Sequence, residues 1–492
     1  ICGDYKAGGA TGSNSPEGEA FNIDYVAHEI GHQIGASHTF NGYQRSCSAN
    51  NRVQESAVEP GSGSSIMSYS GICGDDDLQA NSDAFFHSKS IAQIKQFTQK
   101  GKGAECGVLT ASRNNNPEVN AGKDYTIPAQ TPFVLTGNAI DVDGDQLFHS
   151  WEQTDTGPSS DLYSDLIDNP LFRVWSPTRS AARYFPRLNG LLNNQPILGE
   201  LLPTTDRQLN FSLVARDNKG GLATDEVTLN VISTGEAFSI TSTEIPELLE
   251  PRQSFNLTWN VADTDKAPIS CQSVDIGFIT ANANYLPVLS RSLNDGSETI
   301  TLPPDIGSVV NANIKVACSD NIFFAVSDTK HTLAADKPVL IVNQPSLIKG
   351  ANGDNRLTYT VKSSVPAPEA IFIYYRAKMM VNKGSEHRGE AVIAEGRSHT
   401  IISIPVSEET VEAAIRTAQL VIDKPANAQF EKEGLQLILQ ANETAASSEP
   451  GTVAPSAGGG SFDLLINFAF LILVLTQLVK LVPASQKIGP IQ

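Results

Sequence analysis

The sequence predicts a multidomain protein: part of an α+β domain, then β-sandwich domains, then a C-terminal transmembrane helix. Three observations predict this architecture. A histidine-rich helical motif lies near the start, a long region of alternating strands and turns follows it, and an apolar run lies close to the end. A chain of 492 residues is long enough for several domains. Charged residues are few, and Gly, Pro, Ser and Asn are plentiful, which is typical of secreted β domains.

The first element is a helix whose motif runs from His28 to His38 and reads H-E-x-x-H-x-x-G-x-x-H. His28 and His32 are one helical turn apart, so both imidazoles project from the same helix face. Gly35 lets the chain leave the helix in a conformation that a Cβ would oppose. The turn then brings His38 round as a third ligand. Glu29 stands where it can take a proton from a water on the metal. Three protein ligands with one open position are typical of catalytic zinc sites.

A methionine follows the third histidine in the segment Ser64-Ser65-Ile66-Met67-Ser68-Tyr69. This placement resembles the Met-turn of metzincins. Met67 would then lie as a polarisable floor under the three imidazoles. In astacins and serralysins a tyrosine at this place approaches the metal and donates to the oxyanion, so the resemblance implies that role for Tyr69. The alternative for Tyr69 is a packed aromatic side chain whose hydroxyl is satisfied nearby.

The sequence around the motif resembles the bacterial reprolysin-like metallopeptidases, which are secreted metzincins with β-rich domains behind the protease. The segments that carry the resemblance are residues 25–33 and 38–41. It implies a zinc-dependent endopeptidase that acts on protein or peptide substrates, with Zn²⁺ held by the three histidines. Two positions depart from the reprolysin pattern. Thr39 follows the third histidine, where reprolysins usually have Asp, and Tyr69 stands where they usually have Pro.

The segment before the motif is short, since only residues 1–27 precede it. A metzincin catalytic domain has a twisted sheet and a first helix before its zinc helix. We therefore expect residues 1–110 to be the C-terminal part of such a domain, with the zinc helix and the Met-turn, and the upper half to be missing. A second hypothesis follows from this truncation. The chain is then a β-rich surface adhesion or binding protein whose protease segment is inactive.

Charge and cysteine usage restrict the partners and the compartment. The net charge is −19 and no basic cluster could follow a phosphate backbone, which argues against nucleic acid. The six cysteines form no C-x-x-C motif, so disulfides in an oxidising compartment are predicted, with buried free thiols as the alternative. Cys271 and Cys318 fall in one predicted sandwich and are the firmest pair. Three pairings of the other four are open, and we favour these two: Cys2 with Cys106, and Cys47 with Cys73.

Residues 117–233 resemble the PKD and cadherin-like modules of bacterial exoenzymes. Trp151 fits a buried sandwich core. Three aspartates surround the turn at Gly144, and this cluster has two interpretations, a Ca²⁺ site or an Asp/Gly turn without an ion. Its members are Asp141, Asp143 and Asp145. Residues 160–205 read as a long insertion to which the sequence assigns no role.

Two further β domains are predicted downstream. In residues 236–335, an Ig- or fibronectin-like sandwich, alternate positions of one strand share a face. These positions are Phe255, Leu257, Trp259 and Val261. Residues 338–442 form a third β-rich domain with a short helix near residues 408–418. We expect these domains to position the protease or to bind a polymer or a cell surface.

The C-terminal region predicts attachment to a membrane. Residues 443–461 form a Ser/Gly/Pro linker, and residues 462–482 form an apolar run long enough to span a bilayer. The arrangement resembles the GlyGly-CTERM sorting signal of Gram-negative bacteria, which implies processing by a rhomboid-type protease. The chain is then exported and displayed at the cell surface or released. A plain membrane anchor or a buried helix is the alternative.

Overall fold

The computed structural model describes most of the chain as far as residue 440. The described residues are 10–107, 110, 112–304, 306–334, 337–343, 345–349, 354–379, 385–406, 418–430 and 436–440. The chain divides into two compact units, Ile1–Asp336 and Lys337–Gln492. The predicted linker, the apolar run and the predicted helix near residue 408 lie outside the described residues, apart from the last residue of that helix. Among the helices of the described part, none is long and apolar enough to cross a membrane.

The motif helix is one continuous helical run. It consists of α1 (Gly18–Phe21), a π-helical turn (Asn22–Ala27) and α2 (His28–Gln33). The sequence predicts a zinc helix over about residues 23–34, with Asn22 or Asp24 able to cap it. The run instead begins at Gly18, so neither residue is its cap and that prediction is wrong. Asp24 instead accepts a hydrogen bond from the backbone N–H of Ser82 at 2.7 Å, which ties the helix to the segment after the methionine. The run ends before Gly35, whose φ of 102° lies in the left-handed region that favours glycine.

The spacing of Ile91, Ile94 and Phe97 predicts a helix over residues 88–100. The structure confirms it as α3 (Ser88–Lys95), which continues into a π-helical turn (Gln96–Lys100). Its N-cap is His87, whose Nδ1 accepts from the backbone N–H of Lys89 at 3.1 Å. Because three histidines already complete the motif, His87 is predicted to be structural rather than a metal ligand, and this bond supports that role. Five short 3-10 turns lie in the rest of residues 39–107. They are Arg45–Cys47, Ala49–Asn51, Gln54–Ser56, Gly74–Asp76 and Lys102–Glu105.

The first β domain contains a four-stranded sheet and two smaller strand pairs. Its strands are β1 (Glu118–Asn120), β2 (Tyr125–Pro128), β3 (Phe133–Thr136), β4 (Asn138–Ile140), β5 (Phe148–Gln153), β6 (Ala182–Phe185), β7 (Arg207–Arg216) and β8 (Leu222–Ile232). The sheet has the order β2-β8-β7-β5, while β1 pairs with β4 and β3 with β6. A short helix, α4 (Leu188–Leu191), lies in the insertion. The insertion is part of the fold, because its Phe172 and Phe185 are fully buried with Trp151 in the core.

The second β domain consists of two sheets that face each other. Its strands are β9 (Ser239–Ile240), β10 (Leu248–Leu249), β11 (Ser254–Asn260), β12 (Ser273–Ile279), β13 (Tyr285–Leu293), β14 (Ser297–Thr301), β15 (Val309–Cys318) and β16 (Phe324–Leu333). The sheet orders are β10-β16-β15-β12-β13 and β14-β11-β9. Leu257 and Trp259 of β11 are buried and Phe255 packs partly against them, as the alternation predicts. One continuous core joins this domain to the first β domain.

The second compact unit is also built from two sheets. Its strands are β17 (Val339–Val342), β18 (Ser346–Ile348), β19 (Asn355–Ser363), β20 (Ile371–Met379), β21 (Ser385–Ile393), β22 (His399–Val406), β23 (Gln419–Asp423), β24 (Gln429–Phe430) and β25 (Gln436–Gln440). One sheet has the order β18-β19-β17-β24 with β22 also paired to β19, and the other has the order β21-β20-β23-β25. Tyr359, Ile373 and Leu420 lie in its separate core.

Two disulfides are present among the described residues. Cys47 pairs with Cys73 at a Cα–Cα distance of 5.2 Å, and Cys271 pairs with Cys318 at 6.0 Å. Both are pairings that the sequence favours. The predicted pair of Cys2 with Cys106 involves Cys2, which lies outside the described residues.

Candidate metal centre

The three motif histidines come together at the end of α2. Their ligand atoms, one from each ring, all lie within 4.8 Å of one another. The helix places His28 and His32 on one face, and the turn after Gly35 returns the chain so that His38 meets them. The backbone N–H of Ala36 donates to the carbonyl of Gly31 at 2.9 Å, which closes this turn. The structure therefore assembles the histidine cluster that the motif spacing predicts.

Each imidazole is oriented by a backbone carbonyl. The Nδ1 atoms of His28, His32 and His38 lie 2.8, 2.9 and 2.6 Å from the carbonyl oxygens of Ile66, Ala36 and Asn51 respectively. A carbonyl oxygen only accepts, so each Nδ1 is the donor and each Nε2 keeps its lone pair. This second contact fixes the ring and its tautomer, as is usual for histidines that bind metals.

The donor set fits a soft divalent cation. The Nε2 atoms of His32 and His38 are 3.0 Å apart, and two lone pairs at this distance repel each other unless a cation lies between them. Burial lowers the pKa of His28 and His38 to about 4, so these rings are neutral near neutral pH. Neutral imidazole is the form that binds zinc. Among the described residues the cluster has three nitrogen ligands and no fourth protein ligand, which matches a catalytic rather than a structural zinc site.

Met67 lies directly beneath α2 and is fully buried. A Cβ added at Gly31 would meet the Met67 Sδ and would lie 3.1 Å from Phe86 Cε1. The glycine inside the motif therefore allows the helix to approach the methionine closely. The backbone N–H of Thr39 donates to the carbonyl of Met67 at 3.1 Å, which joins the Met67 turn to the residue after the third histidine.

Tyr69 lies against the histidine cluster. Its ring centroid is 4.5 Å from that of His38 and 5.7 Å from that of His28. Burial raises the pKa of the Tyr69 phenol, and the nearby carboxylate of Glu29 raises it further. The same carboxylate acts to raise the pKa of His38. Glu29 is itself half-buried, which leaves it within reach of solvent.

Residues 6–99 match the metallopeptidase family M12B, reprolysin-like. This family depends on zinc, and the match covers the three histidines, Glu29, Met67 and Tyr69. The reprolysin-like segment is thus the part of the chain that suggests a zinc metallopeptidase. None of the curated proteins matches the sequence.

The β-rich remainder has immunoglobulin- and fibronectin-type structures among its neighbours. One is the Bacteroides ovatus mixed-linkage glucan utilization locus protein SGBP-B, at 10% identity and a TM-score of 0.15, covering 67% of this chain and 71% of that one. Another is the N-terminal Ig1-2 module of Drosophila receptor protein tyrosine phosphatase DLAR, at 13% identity and a TM-score of 0.24. This match covers 45% of this chain and 98% of that one. The chicken CNTN1 FN1-FN3 domains match at 10% identity and a TM-score of 0.14. This match covers 68% of this chain and 100% of that one. These low scores tie the chain to none of these proteins in function.

Glu59 lies in a segment, residues 59–64, that reads from the sequence only as a turn-rich loop before the Met67 turn. Glu59 is almost fully buried, and neutral groups donate hydrogen bonds to its carboxylate. Its carboxylate accepts from the backbone N–H groups of Ser64 and Ser65 at 2.8 and 3.1 Å, from Ser65 Oγ at 2.5 Å and from Thr39 Oγ1 at 2.6 Å. No local motif marks this residue, because its partners come from two separate loops.

The aspartate run at residues 75–77 has two interpretations from the sequence, a solvated acidic turn, which is favoured, or a calcium loop. The favoured form is wrong for Asp76, which is almost fully buried. Its Oδ2 accepts from the backbone N–H groups of Tyr43 and Gln44 at 2.9 and 3.0 Å. Asp77 Oδ1 accepts from the N–H of Cys73 at 2.8 Å. The run therefore holds the loop after the third histidine in place, next to the disulfide Cys47–Cys73.

Proposed function

We propose that the reprolysin-like segment is the metal centre of a zinc-dependent endopeptidase, which hydrolyses peptide bonds in protein substrates. One observation supports this proposal most directly. His28, His32 and His38 each direct Nδ1 to a backbone carbonyl, which leaves three Nε2 lone pairs in one cluster. A cluster of this kind binds zinc and keeps a position open for chemistry.

When bound, Zn²⁺ supplies a Lewis acid that lowers the pKa of a water molecule and polarises the scissile carbonyl. Glu29 acts as the general base: its carboxylate takes a proton from the attacking water and delivers it to the leaving amine nitrogen. The phenol of Tyr69 stays protonated, because burial raises its pKa. It donates a hydrogen bond to the carbonyl oxygen as negative charge develops there.

Zinc content and casein hydrolysis test this proposal together. We expect the dialysed chain to retain about one zinc per molecule, as catalytic sites with three protein ligands do, and to cut fluorescent casein in a way that a zinc chelator stops. His32→Ala should lose both properties. His399→Ala, at an exposed position of β22, is the matched control and should keep both. A parent chain that holds no zinc contradicts the proposal.

Zinc binding without hydrolysis would favour the second hypothesis, in which the chain is a β-rich surface adhesion or binding protein with an inactive protease segment. Peptide libraries as well as casein should be tried before that conclusion, because the residues that select substrates are not defined by the cluster.

We also propose that the chain is exported and attached to a membrane. The disulfides Cys47–Cys73 and Cys271–Cys318 support an oxidising compartment, and the apolar run at residues 462–482 supports a bilayer anchor. A rhomboid-type protease would then release the chain at the surface of a Gram-negative cell. Fractionation tests this: the full chain should appear in the membrane or the medium, and a chain without residues 462–482 should not be held in the membrane. Full chain in the cytoplasm with free thiols would contradict it.

A Ca²⁺ site at the aspartate turn stays a prediction. One carboxylate oxygen from each of Asp141, Asp143 and Asp145 lies within 4.8 Å of the other two. Two of the three carboxylates have contacts outside the turn: Asp143 accepts from Asn115 at 2.6 and 2.9 Å, and Asp145 pairs with Lys219. Isothermal titration of the chain with Ca²⁺, with Asp141→Asn as the variant, distinguishes the two interpretations.

A further inference from the structure

The carbonyl that orients the third histidine lies next to an arginine whose side chain reaches the first β domain. His38 donates to the carbonyl of Asn51, and the next residue is Arg52. The Arg52 guanidinium donates to Asn41 Oδ1, from Nε at 3.1 Å and from Nη2 at 2.8 Å. Its Nη2 also donates to the carbonyl of Gly157 in the first β domain. The loop that orients His38 is therefore tied to residues far along the chain.

Asn41 makes a second tie on the same side of the metal centre. It follows His38 closely in sequence and is fully buried. Its Nδ2 donates to the carbonyl of Pro158 at 3.1 Å and to Ser160 Oγ at 3.0 Å. Ser160 Oγ is in turn held by Asn169 Nδ2 at 2.9 Å, and Asn169 is also fully buried. A buried polar group left without a hydrogen-bond partner lowers the stability of the fold, so these contacts between Asn41 and the first β domain are expected to persist.

The turn that contains Met67 is tied to the same domain. Ser64 Oγ donates to the carbonyl of Val174 at 3.0 Å, and Arg216 Nη2 donates to the carbonyl of Phe86 at 3.0 Å. The carbonyl of Ile66, between these contacts, is the partner of His28 Nδ1. Two of the three carbonyls that orient the imidazoles thus lie in loops bound to the first β domain.

We propose that the first β domain is a positioning element of the metal centre, acting on the third histidine through Arg52 and on the Met67 turn through Ser64. The insertion at residues 160–205, with the short loop before it, thereby acquires a role. Arg52 is a positioning residue rather than a catalytic one, because it contacts a backbone carbonyl and an amide but no group of the histidine cluster. This inference rests on the proposed zinc site.

Zinc affinity of the full chain, measured by chelator competition, tests the proposal. Loss of a group that orients a ligand typically weakens metal binding about 10- to 100-fold, and we expect that loss for Arg52→Met. Arg52→Lys should recover part of it. The exposed Arg291→Met, in the second β domain, is the matched control and should bind zinc like the parent. The visible absorption of the Co²⁺-loaded chain should change in Arg52→Met, since ligand geometry changes.

A second variant covers the case in which Arg52→Met fails to fold. Asn41→Asp keeps the acceptor for Arg52 and removes the donor to Pro158 and Ser160, so its zinc affinity should also fall. Parental zinc affinity and a parental Co²⁺ spectrum in both folded variants would overturn the inference. Weaker zinc in the variants, together with a parent that hydrolyses no peptide, would support positioning while refuting the endopeptidase proposal. A parent without zinc would overturn both.

Discussion

Glu59 accepts a hydrogen bond from Thr39 Oγ1 at 2.6 Å, so a buried carboxylate joins the residue after the third histidine to the turn before Met67. The other oxygen of Glu59 accepts from the backbone of Ser64 and Ser65. Two loops that lie apart in sequence are therefore held at one point. Since a carboxylate accepts several hydrogen bonds at once, one residue fixes the spacing between the third histidine and the methionine.

Removal of Glu59 should destabilise the reprolysin-like segment. Glu59→Ala leaves several buried donors without an acceptor, at a cost of about 3 kcal/mol or more in the free energy of unfolding. Glu59→Gln should cost less, because its amide oxygen still accepts from the backbone and the hydroxyls of Thr39 and Ser65 can rotate to accept. Urea unfolding of each variant measures its free energy of unfolding relative to the parent. The less stable variant should also lose its zinc at a lower urea concentration. The exposed Glu55→Ala is the control. Equal stability of Glu59→Ala and the parent would contradict this role.

Tyr69→Phe separates packing from chemistry. The phenylalanine ring keeps the contacts with His38 and Phe40, whose ring centroids lie 4.5 and 4.6 Å from that of Tyr69, so zinc binding should not change. If the phenol donates to the developing oxyanion, kcat should fall about 10²-fold with little change in KM. Steady-state hydrolysis of a peptide substrate measures both constants. Exposed Tyr43→Phe serves as the control, and an unchanged kcat in Tyr69→Phe would assign it packing alone.

Lys315 makes the stability of the second β domain depend on pH. Its Nζ lies over the rings of Phe324, Tyr285 and Tyr184, at 4.5, 5.4 and 5.5 Å from their centroids. Burial lowers the pKa of this ammonium to about 8 from an ordinary value of 10.5. The unfolded chain then binds more protons between these values, so the free energy of unfolding rises with pH across this window. The cost of burying the charge is present in full below the folded-state pKa.

The measurement compares the parent with Lys315→Met. From about pH 7.5 to about pH 9.5, the parent should gain about 2 kcal/mol relative to the variant. Urea unfolding followed by tryptophan fluorescence reports on the first compact unit, Ile1–Asp336, which contains Lys315 and all three tryptophans, Trp151, Trp175 and Trp259. The exposed Lys330→Met should leave the pH slope as in the parent. A slope that is identical in the parent and in Lys315→Met would show that the lysine ionises normally in the folded chain.

The histidine cluster could be predicted because its geometry is local. The spacing of His28 and His32 fixes a helix face, and the turn at Gly35 returns His38 within a few residues. The disulfide Cys47–Cys73 spans only 26 residues, which favours the chosen pairing. The helix start was harder to predict. Asn22 and Asp24 look like caps, but the carboxylate of Asp24 serves a loop remote in sequence, which no local pattern reveals.

The contacts that support the cluster could not be predicted, because they join distant parts of the chain. Asn41 and Ser160 are 119 positions apart, and Phe86 and Arg216 are 130 apart. From the sequence, residues 160–205 are only a long insertion without an assigned role. Its place in the fold depends on tertiary contacts, since Phe172 and Phe185 lie in the core while Ser160 and Val174 contact the reprolysin-like segment. Tertiary contact likewise turns Asp76 from a surface carboxylate into a buried acceptor.

The most direct test of the zinc endopeptidase proposal is the zinc content and peptide hydrolysis of Glu29→Ala beside the parent. The proposal predicts that the variant keeps about one zinc per chain, since Glu29 is not among the three clustered histidines. Its hydrolysis of casein should fall to the background of the zinc-free chain, because the general base is lost. Hydrolysis at the parental rate by zinc-loaded Glu29→Ala would contradict the account.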